Sequence, residues 1–322
     1  MRVSVAMATY NGGAYIAAQL MSILAQERPP DELIVCDDQS TDDTLDVVSD
    51  LAKGAPFEVV LHRNAERLGY SRNFEKALRA AGGDVIFFSD QDDAWDPQKI
   101  AAIVAQLDHH AACQLIVNDM RIADEQMVVS DQTMLGFLDS NGLGERFLVH
   151  GCATAIRRSW RDFVLPIPHK RWTYDVWMHD LGRRLGVRRV HQEALQTYRR
   201  HGSNASGLPE RSHASGLGRL YLTLSGKAED SFLSQRPRLQ DLKGRMERDA
   251  GGASGVASAD AVSSALQALS LRLDAIARRD ELLSAPHPLR LRQAWHLLRG
   301  GGYAEFSGLS SFIKDVLLGR PR

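Results

Sequence analysis

Asp90, Asp92 and Asp93 follow the apolar run Val85-Ile86-Phe87-Phe88-Ser89. The run reads as a buried strand that stops abruptly in acids. In an open α/β sheet such a strand end faces the ligand crevice. Asp90 and Asp92 are two residues apart, so extended geometry points them the same way. Neighbouring carboxylates repel unless a cation sits between them. A hard divalent ion, Mg²⁺ or Mn²⁺, held by one or two carboxylates and by substrate phosphates answers that repulsion. Helix capping is the ordinary alternative for such acids. Asp96-Pro97 comes next and suits an N-cap with proline at the first helical position. Capping needs one acid rather than four, which favours the cation.

The elements that must position these acids alternate. Val3–Ala8 is a short apolar run closed by Tyr10-Asn11-Gly12-Gly13, and it reads as a first strand and its turn. Ile16, Leu20, Ile23 and Leu24 have the spacing of an amphipathic helix. Leu33–Cys36 is a second strand, ending in Asp37-Asp38-Gln39-Ser40-Thr41-Asp42, and a helix with Leu45, Val48 and Leu51 on one face follows. Asp42 and Asp43 suit the cap of that helix. Phe57–Leu61 is a third strand, then a helix with Phe74, Ala77 and Leu78. After the strand Val85–Ser89 come a helix marked by Ile100, Ile103, Val104 and Leu107 and a strand Leu115–Asn118. Strand alternating with helix implies right-handed crossovers and a Rossmann-like, mostly parallel sheet flanked by helices. No G-x-G-x-x-G follows the first strand and there is no Walker motif, which argues against a dinucleotide cofactor. From 120 to 204 the pattern is irregular, with strands expected at Cys152–Ile156 and Val187–His191 and a helix at Asp175–Leu185.

The 322 residues fit one large domain or a domain with an appendage, and a hydrophobic content of 44% supports a sizeable core. The net charge of −1 carries no nucleic-acid signal. Residues 1–198 hold 20 basic and 28 acidic side chains, whereas residues 199–322 hold 19 and 12. Cys36, Cys113 and Cys152 are far apart and odd in number, which fits a reducing cytoplasm rather than a disulfide framework. No segment has the length of a membrane span and the N-terminal run is too short for a signal peptide.

Residues 205–322 read as a helical extension. Leu217–Asp249 is helix-compatible, with Gly226 and Pro237 as interruptions. A flexible linker is expected near 250–259, at Gly251-Gly252-Ala253-Ser254-Gly255. Ala261–Leu283 is a further helix. The stretch from Pro288 to Leu318 mixes Leu291, Trp295 and Phe312 with Arg292, Arg299 and Lys314. It fits peripheral contact with the inner face of a membrane, and equally a helix docked on the catalytic domain or on a second copy as a homodimer.

The order of motifs resembles bacterial family 2 glycosyltransferases, over about Val3–Asn204. Asp90-Gln91-Asp92 resembles their D-x-D motif, and D-Q-D-D-x-W that of members labelled rhamnosyltransferases. The resemblance implies the glycosyltransferase A-type fold, with a nucleotide-sugar half at 1–119 and an acceptor half at 120–204. It implies nucleotide-sugar contacts from Thr9, Tyr10 and Asn11, from Asp37 and Asp38 on base and ribose, and from Asp90 and Gln91. Arg67-Leu68-Gly69-Tyr70-Ser71-Arg72-Asn73 resembles the N-x-G-x-x-x-N segment, where Arg72 would pair with the diphosphate. Asp90, Asp92 and His201 are implied metal ligands. Tyr174-Asp175-Val176-Trp177 resembles H-D-W-W, in which the aspartate is the catalytic base; Tyr174 and Val176 depart from that pattern. Asp180 is a rival base one turn on, and Asp175 could also be a helix N-cap. Asp93, Trp95, Gly151, Trp177, Arg199 and Arg200 are implied to line the acceptor or sugar pocket, the arginines from Tyr198-Arg199-Arg200-His201-Gly202-Ser203-Asn204, which resembles Y-R-x-H-G-S-N.

The expectation is therefore an inverting transfer from a UDP- or dTDP-sugar, dTDP-rhamnose among them, to a hydroxyl of a bacterial surface glycan or lipid-linked acceptor. Two other classes stay open. A nucleotidyltransferase would want a basic, glycine-rich loop after the first strand, and Asn11-Gly12-Gly13-Ala14 has no basic residue. A non-catalytic nucleotide- or glycan-binding module would keep the fold without needing the intact acids.

Overall fold

The computed structural model describes residues 1–202, 204, 231–249, 255–300, 302–303, 306 and 308–318. Two compact units emerge, Met1–Leu208 with Gly252–Ser258 and Pro209–Gly251 with Ala259–Arg322.

Among the described residues the first unit holds nine strands in one sheet: β1 (Val3–Thr9), β2 (Glu32–Asp37), β3 (Glu58–Arg63), β4 (Val85–Ser89), β5 (Ala94–Trp95), β6 (Leu115–Ala123), β7 (Val129–Thr133), β8 (Thr154–Arg157) and β9 (Arg188–Arg199). Their order is β3-β2-β1-β4-β8-β6-β9-β5, with β7 on β6. The β3-β2-β1-β4 half is parallel throughout. Beyond it β8 runs antiparallel between β4 and β6, while β6 and β9 are parallel. β1, β2 and β4 are buried along their whole length, which is why they read as continuous apolar runs rather than alternating ones.

The helices of this unit are α1 (Gly13–Leu24), α2 (Thr44–Ala52), α3 (Tyr70–Ala80), α4 (Lys99–His109), α5 (Met134–Ser140), α6 (Arg158–Val164) and α7 (Tyr174–Arg184). The pleat of β4 sorts its side chains. Val85 and Phe87 join a core with Ile16, Leu20 and Ile23 of α1 and Ile100, Ile103 and Leu107 of α4. Phe88, one residue on, meets Phe74 of α3 and Tyr174 of α7, with ring centroids 6.0 and 5.3 Å away. A second core under β6 gathers Val117, Met120, Met134, Leu138, Leu148 and Cys152.

Several expectations shift. Helix α4 begins at Lys99, after Gln98 at its N-cap. Asp96 does not cap it, because its carboxylate is bonded to Arg121. The strand expected from Cys152 starts at Thr154, after a 3₁₀ turn over Gly151–Ala153. β9 extends to Arg199, eight residues beyond its expected end, because it pairs along β6 and then with β5. Asp42 accepts hydrogen bonds from the Thr44 and Gly13 N–H groups, whereas Asp43, at the N-cap position of α2, makes no side-chain cap bond.

The second unit contains α8 (Ser231–Glu247), α9 (Ala259–Ser284), α10 (His287–Arg299) and α11 (Leu309–Leu318). Helix α8 runs through Pro237, which was expected to interrupt it. Residues 217–230 of the expected helix, Ser203, and the expected linker over 250–254 lie outside the described residues. Arg279 donates both Nε and Nη2 to the buried Asp315 at 2.7 Å, and the Tyr303 hydroxyl adds a third bond at 2.9 Å. Satisfying both charges this completely is what lets an ion pair sit inside a helical core. No described helix is long and apolar enough to cross a membrane.

Phe87 is fully buried and packs against Trp95 with ring centroids 5.8 Å apart. Phe87→Ala is expected to cost about 3–5 kcal/mol of unfolding free energy, read as a lower urea midpoint.

Candidate active site

The ends of β1, β2 and β4 open on one cleft of about 620 Å³. Their registry sets this: Thr9 pairs with Asp37 and Met7 with Ser89, so the three strands stop side by side. Thr9, Tyr10 and Asn11 line the cleft, with Asp38, Asp90, Gln91 and Asp92. Gly151, Asp175, His201 and Asn204 reach the same space from the other half.

The acids at the end of β4 divide. Asp90 is half-buried on the cleft. Burial pushes its carboxyl well up, and Asp92, Asp93 and Asp175 add to the effect. Asp92 accepts a hydrogen bond from His201 Nε2 at 2.8 Å and from Asn204 Nδ2 at 3.3 Å. Asp93 turns inward, so it is not a wall of the pocket as expected. Its oxygens accept from the Arg199 N–H and from Gln196 Nε2, both at 3.1 Å. Burial first, then Asp92, pushes the Asp93 carboxyl up to about 7. Beneath lies Lys99, fully buried, its ammonium donating to the Cys152 carbonyl at 3.0 Å and to Gln196 Oε1. Burial pushes Lys99 down to about 7.

Ligand atoms of Asp90, Asp93 and Cys152 lie within 4.8 Å of one another. This differs from the expected set of Asp90, Asp92 and His201, in which Asp92 and His201 bond each other. Burial keeps the Cys152 thiol protonated and its sulfur is soft, so it suits Mg²⁺ or Mn²⁺ poorly. The cleft-facing oxygens of Asp90 and Asp92 suit a hard cation, and the raised Asp90 carboxyl marks where added positive charge would be most favourable.

On the opposite edge Asp37 and Asp38 hold the backbone. Asp37 is fully buried, accepting from Thr9 Oγ1 at 2.9 Å and from the Ser40 N–H at 2.9 Å, and it does not line the cleft. Asp38 accepts from the N–H groups of Leu68 and Gly69 at 2.7 and 2.9 Å while keeping a face on the cleft. Gly69, at φ +77°, makes that turn possible. The Gln91 amide exchanges two hydrogen bonds with the Tyr10 backbone, at 2.9 and 3.0 Å, tying the acidic loop to β1. The arginine at the cleft is Arg67, stacked 3.7 Å from the Tyr10 ring centroid. Arg72 is exposed and outside the lining, because it lies on the outward face of α3.

Asp175 sits in the first turn of α7, and Thr173 rather than Asp175 occupies the N-cap position. Its Oδ1 accepts from Thr173 Oγ1 at 2.5 Å and from the Val176 N–H at 2.8 Å. Burial raises its carboxyl above the ordinary aspartate range against those bonds. The rival Asp180 is paired with Arg183 and Arg184 and is absent from the cleft wall.

Besides Asp93, four expected pocket residues are elsewhere. Trp95 is buried against Phe87 and Lys99. Trp177 is buried too, its Nε1 donating to the Val164 carbonyl at 2.9 Å, because it falls on the core face of α7. Arg199 is buried and donates to the Asp92 and Glu125 carbonyls at 2.8 and 2.7 Å, bracing the acidic loop from behind. Arg200 is exposed, as its alternation with Arg199 along β9 requires. Other cleft residues were not singled out from sequence. Tyr15 stacks on His201 at 4.5 Å, and His150, Tyr70 and Tyr198 complete the wall. Tyr70 and Tyr198 lie inside the motifs quoted above and His150 just before Gly151, so the motifs marked the neighbourhood, while long-range packing decides that these side chains face the cleft.

Residues 4–162 match the family model described as "Glycosyl transferase family 2". An uncharacterized glycosyltransferase of Nostoc sp. is 30% identical over 217 residues, covering 63% of this chain and 66% of that protein. The dTDP-rhamnosyl transferase RfbG of Shigella flexneri is 35% identical over 98 residues, covering 29% and 34%. The chain thus spans a third to two thirds of the length of these relatives. Among solved structures, S. aureus TarS 1–349 superposes with a TM-score of 0.52 at 17% identity, covering 98% of this chain and 90% of that one. The mixed sheet with its flanking helices is the glycosyltransferase A-type fold. Through residues 4–162 the chain belongs to glycosyl transferase family 2.

A Cβ added at Gly151 would lie 1.8 Å from the Tyr174 hydroxyl. Gly151→Ala therefore has to displace Tyr174 from between Phe74 and Phe88. A loss of about 1–3 kcal/mol in stability is expected from overpacking, measured by denaturant unfolding.

Proposed function

We propose that the protein is an inverting glycosyltransferase that moves a sugar from a nucleotide diphosphate sugar to an acceptor hydroxyl. The observation that carries this is one cleft lined by Asp90, Asp92 and Asp175 together. In the proposed reaction an Asp175 oxygen takes the proton of the acceptor hydroxyl while that oxygen attacks the anomeric carbon. The bond from that carbon to the diphosphate oxygen breaks on the opposite face, so the configuration inverts. Mg²⁺ or Mn²⁺ held by Asp90 and Asp92 supplies the counter-charge that a leaving diphosphate needs. His201 and Asn204 orient Asp92 through their hydrogen bonds to it. Tyr10, with Arg67 stacked on it, offers a flat surface for a nucleobase.

The donor is of the UDP or dTDP type. The Shigella relative, described as a dTDP-rhamnosyl transferase, supports including dTDP-rhamnose. The acceptor is a bacterial surface glycan, free or lipid-linked, entering from the 120–204 half. In the second unit Leu291 and Trp295 are exposed on α10 beside Arg292 and Arg299, which supports peripheral contact with the cytoplasmic membrane face, where a lipid-linked acceptor would be presented.

Three measurements test this. In a thermal-shift panel of UDP, dTDP, GDP and CDP, Mn²⁺ should add to the rise in midpoint for UDP or dTDP, and Asp92→Ala should abolish the added part. No shift with any diphosphate would sink the reading. Asp175→Asn should leave donor affinity unchanged and lower kcat by about 10²–10⁴-fold. Because burial raises the Asp175 carboxyl, wild-type kcat should fall as pH drops through a value above the ordinary aspartate range, the base being lost on protonation.

A further inference from the structure

Asp175 is placed by α7, and the N-terminus of that helix is tied to α3 by a relay of side chains. The Tyr174 N–H donates to Ser71 Oγ at 2.9 Å. Ser71 Oγ lies 3.1 Å from His169 Nδ1. On its other side His169 Nε2 lies 2.5 Å from Glu75 Oε2. Glu75 is fixed in turn, since its Oε1 accepts from Arg79 Nε at 3.0 Å and Nη2 at 2.5 Å. Its Oε2 also accepts from the Ile167 N–H at 3.3 Å. Both the glutamate and the histidine are largely shielded, with side chains 12% and 15% exposed.

Ser71 Oγ accepts from the Tyr174 N–H and has one hydrogen of its own. In the His169 tautomer that carries its proton on Nε2, that hydrogen goes to Nδ1 and Nε2–H donates to Glu75 Oε2, which also takes the Ile167 N–H. A seryl hydroxyl held in this way is an acceptor for a helix terminus rather than a nucleophile. The first backbone N–H groups of a helix have no partner within it, and a fixed acceptor there pins the first turn. Thr173, at the N-cap, makes no side-chain cap bond to the helix. Its hydroxyl donates to Asp175 instead.

We propose that Ser71, His169 and Glu75 are positioning residues that hold the first turn of α7, and so the Asp175 carboxylate, at a set distance from the Asp90–Asp92 side of the cleft. This rests on the reading of Asp175 as base. None of the three makes up for Asp175 or touches its carboxylate. They act through the Tyr174 N–H, one residue before it. Small displacements of a reacting group cost large factors in rate, so the effect falls on turnover rather than on donor binding.

The experiment uses the full chain with Ser71→Ala, which removes one oxygen, and His169→Ala. Hydrogen exchange is followed by mass spectrometry on peptides covering 172–178, and kcat and donor KM are measured with the donor and acceptor found active. The expected result is at least about tenfold faster exchange in the first turn of α7 with the rest of α3 and α7 unchanged. With it should come a fall in kcat of about tenfold or more at constant donor KM. His169→Gln, whose amide reaches Glu75 but not Ser71, should resemble His169→Ala in kcat. Unchanged exchange at 172–178 in both alanine variants would overturn the proposal. So would faster exchange with unchanged kcat, or a fall in kcat that only follows a general loss of protection. If the wild type transfers no sugar, the glycosyltransferase reading fails, and the exchange at 172–178 still decides whether the relay holds the helix.

Discussion

Carboxylate crowding at one strand end is the constraint the first unit is built to satisfy. Asp90, Asp92 and Asp93 leave β4 within four residues, and Asp175 comes close enough to disturb Asp90. In a partly buried site such charges are mutually unfavourable. The protein answers from below and behind. Lys99 is buried under the cluster, bridged to Asp93 through Gln196. Arg199 holds the Asp92 carbonyl and caps Asp93 with its N–H. His201 takes the Asp92 carboxylate. What is left is a cleft face of Asp90 and Asp92 in which added positive charge is welcome, and that face is where a diphosphate and its counter-ion would be received.

The same logic explains why several motif residues are engaged with the protein's own backbone; of those that follow, Asp37 is withdrawn from the cleft while the other three keep a face on it. Asp37, Asp38, Asn73 and Gln91 satisfy backbone groups at the strand ends, where the sheet's own ladder has stopped. Asn73 donates to the Cys36 carbonyl at 2.7 Å and accepts from Asn64 at 2.8 Å. Asn11 and Gln39 adopt positive φ, 46° and 67°, in the turns that follow β1 and β2. Strain of that kind persists only where neighbours over-determine the backbone, and here Ser40 and Thr41 bond to Asn11 from the adjoining loop. The loops are thus locked to one another before any ligand arrives.

Much was legible from the order of residues. The strands β1, β2 and β4 were readable because strands covered on both faces must be continuously apolar, the partly exposed β3 by its short run Phe57–Leu61, and the helices α1 to α4 because each must present one apolar stripe. Their strand ends placed Thr9, Asp38, Asp90 and Asp92 on one cleft, though not Asp37, and the motif resemblance added Tyr10, Asn11, Gln91, Gly151, Asp175 and His201, which line it too. Legibility fell in the 120–204 half. There β8 runs antiparallel between β4 and β6, the hairpin strand β7 is exposed, and β9 outruns its apolar stretch, so pairing rather than pattern sets the boundaries.

The sequence by itself determined the alternating core, the acidic strand end and the position of Asp175 at the start of a helix, because these depend on local periodicity and on charges adjacent in the chain. The tertiary structure alone decided which side each polar group serves. Trp95 and Trp177 went to the core and Arg199 behind the loop, since a side chain's surroundings depend on the element packed over it, and not on the motif around it. It also decided that Arg67 rather than Arg72 meets the cleft, that Lys99 underlies the acids, and that Ser71, His169 and Glu75 reach α7. The contacts of His169 with Glu75, Lys99 with Gln196, Ser71 with His169 and Ser71 with Tyr174 join residues 94, 97, 98 and 103 positions apart, and no short-range pattern of polarity records a pairing at that distance.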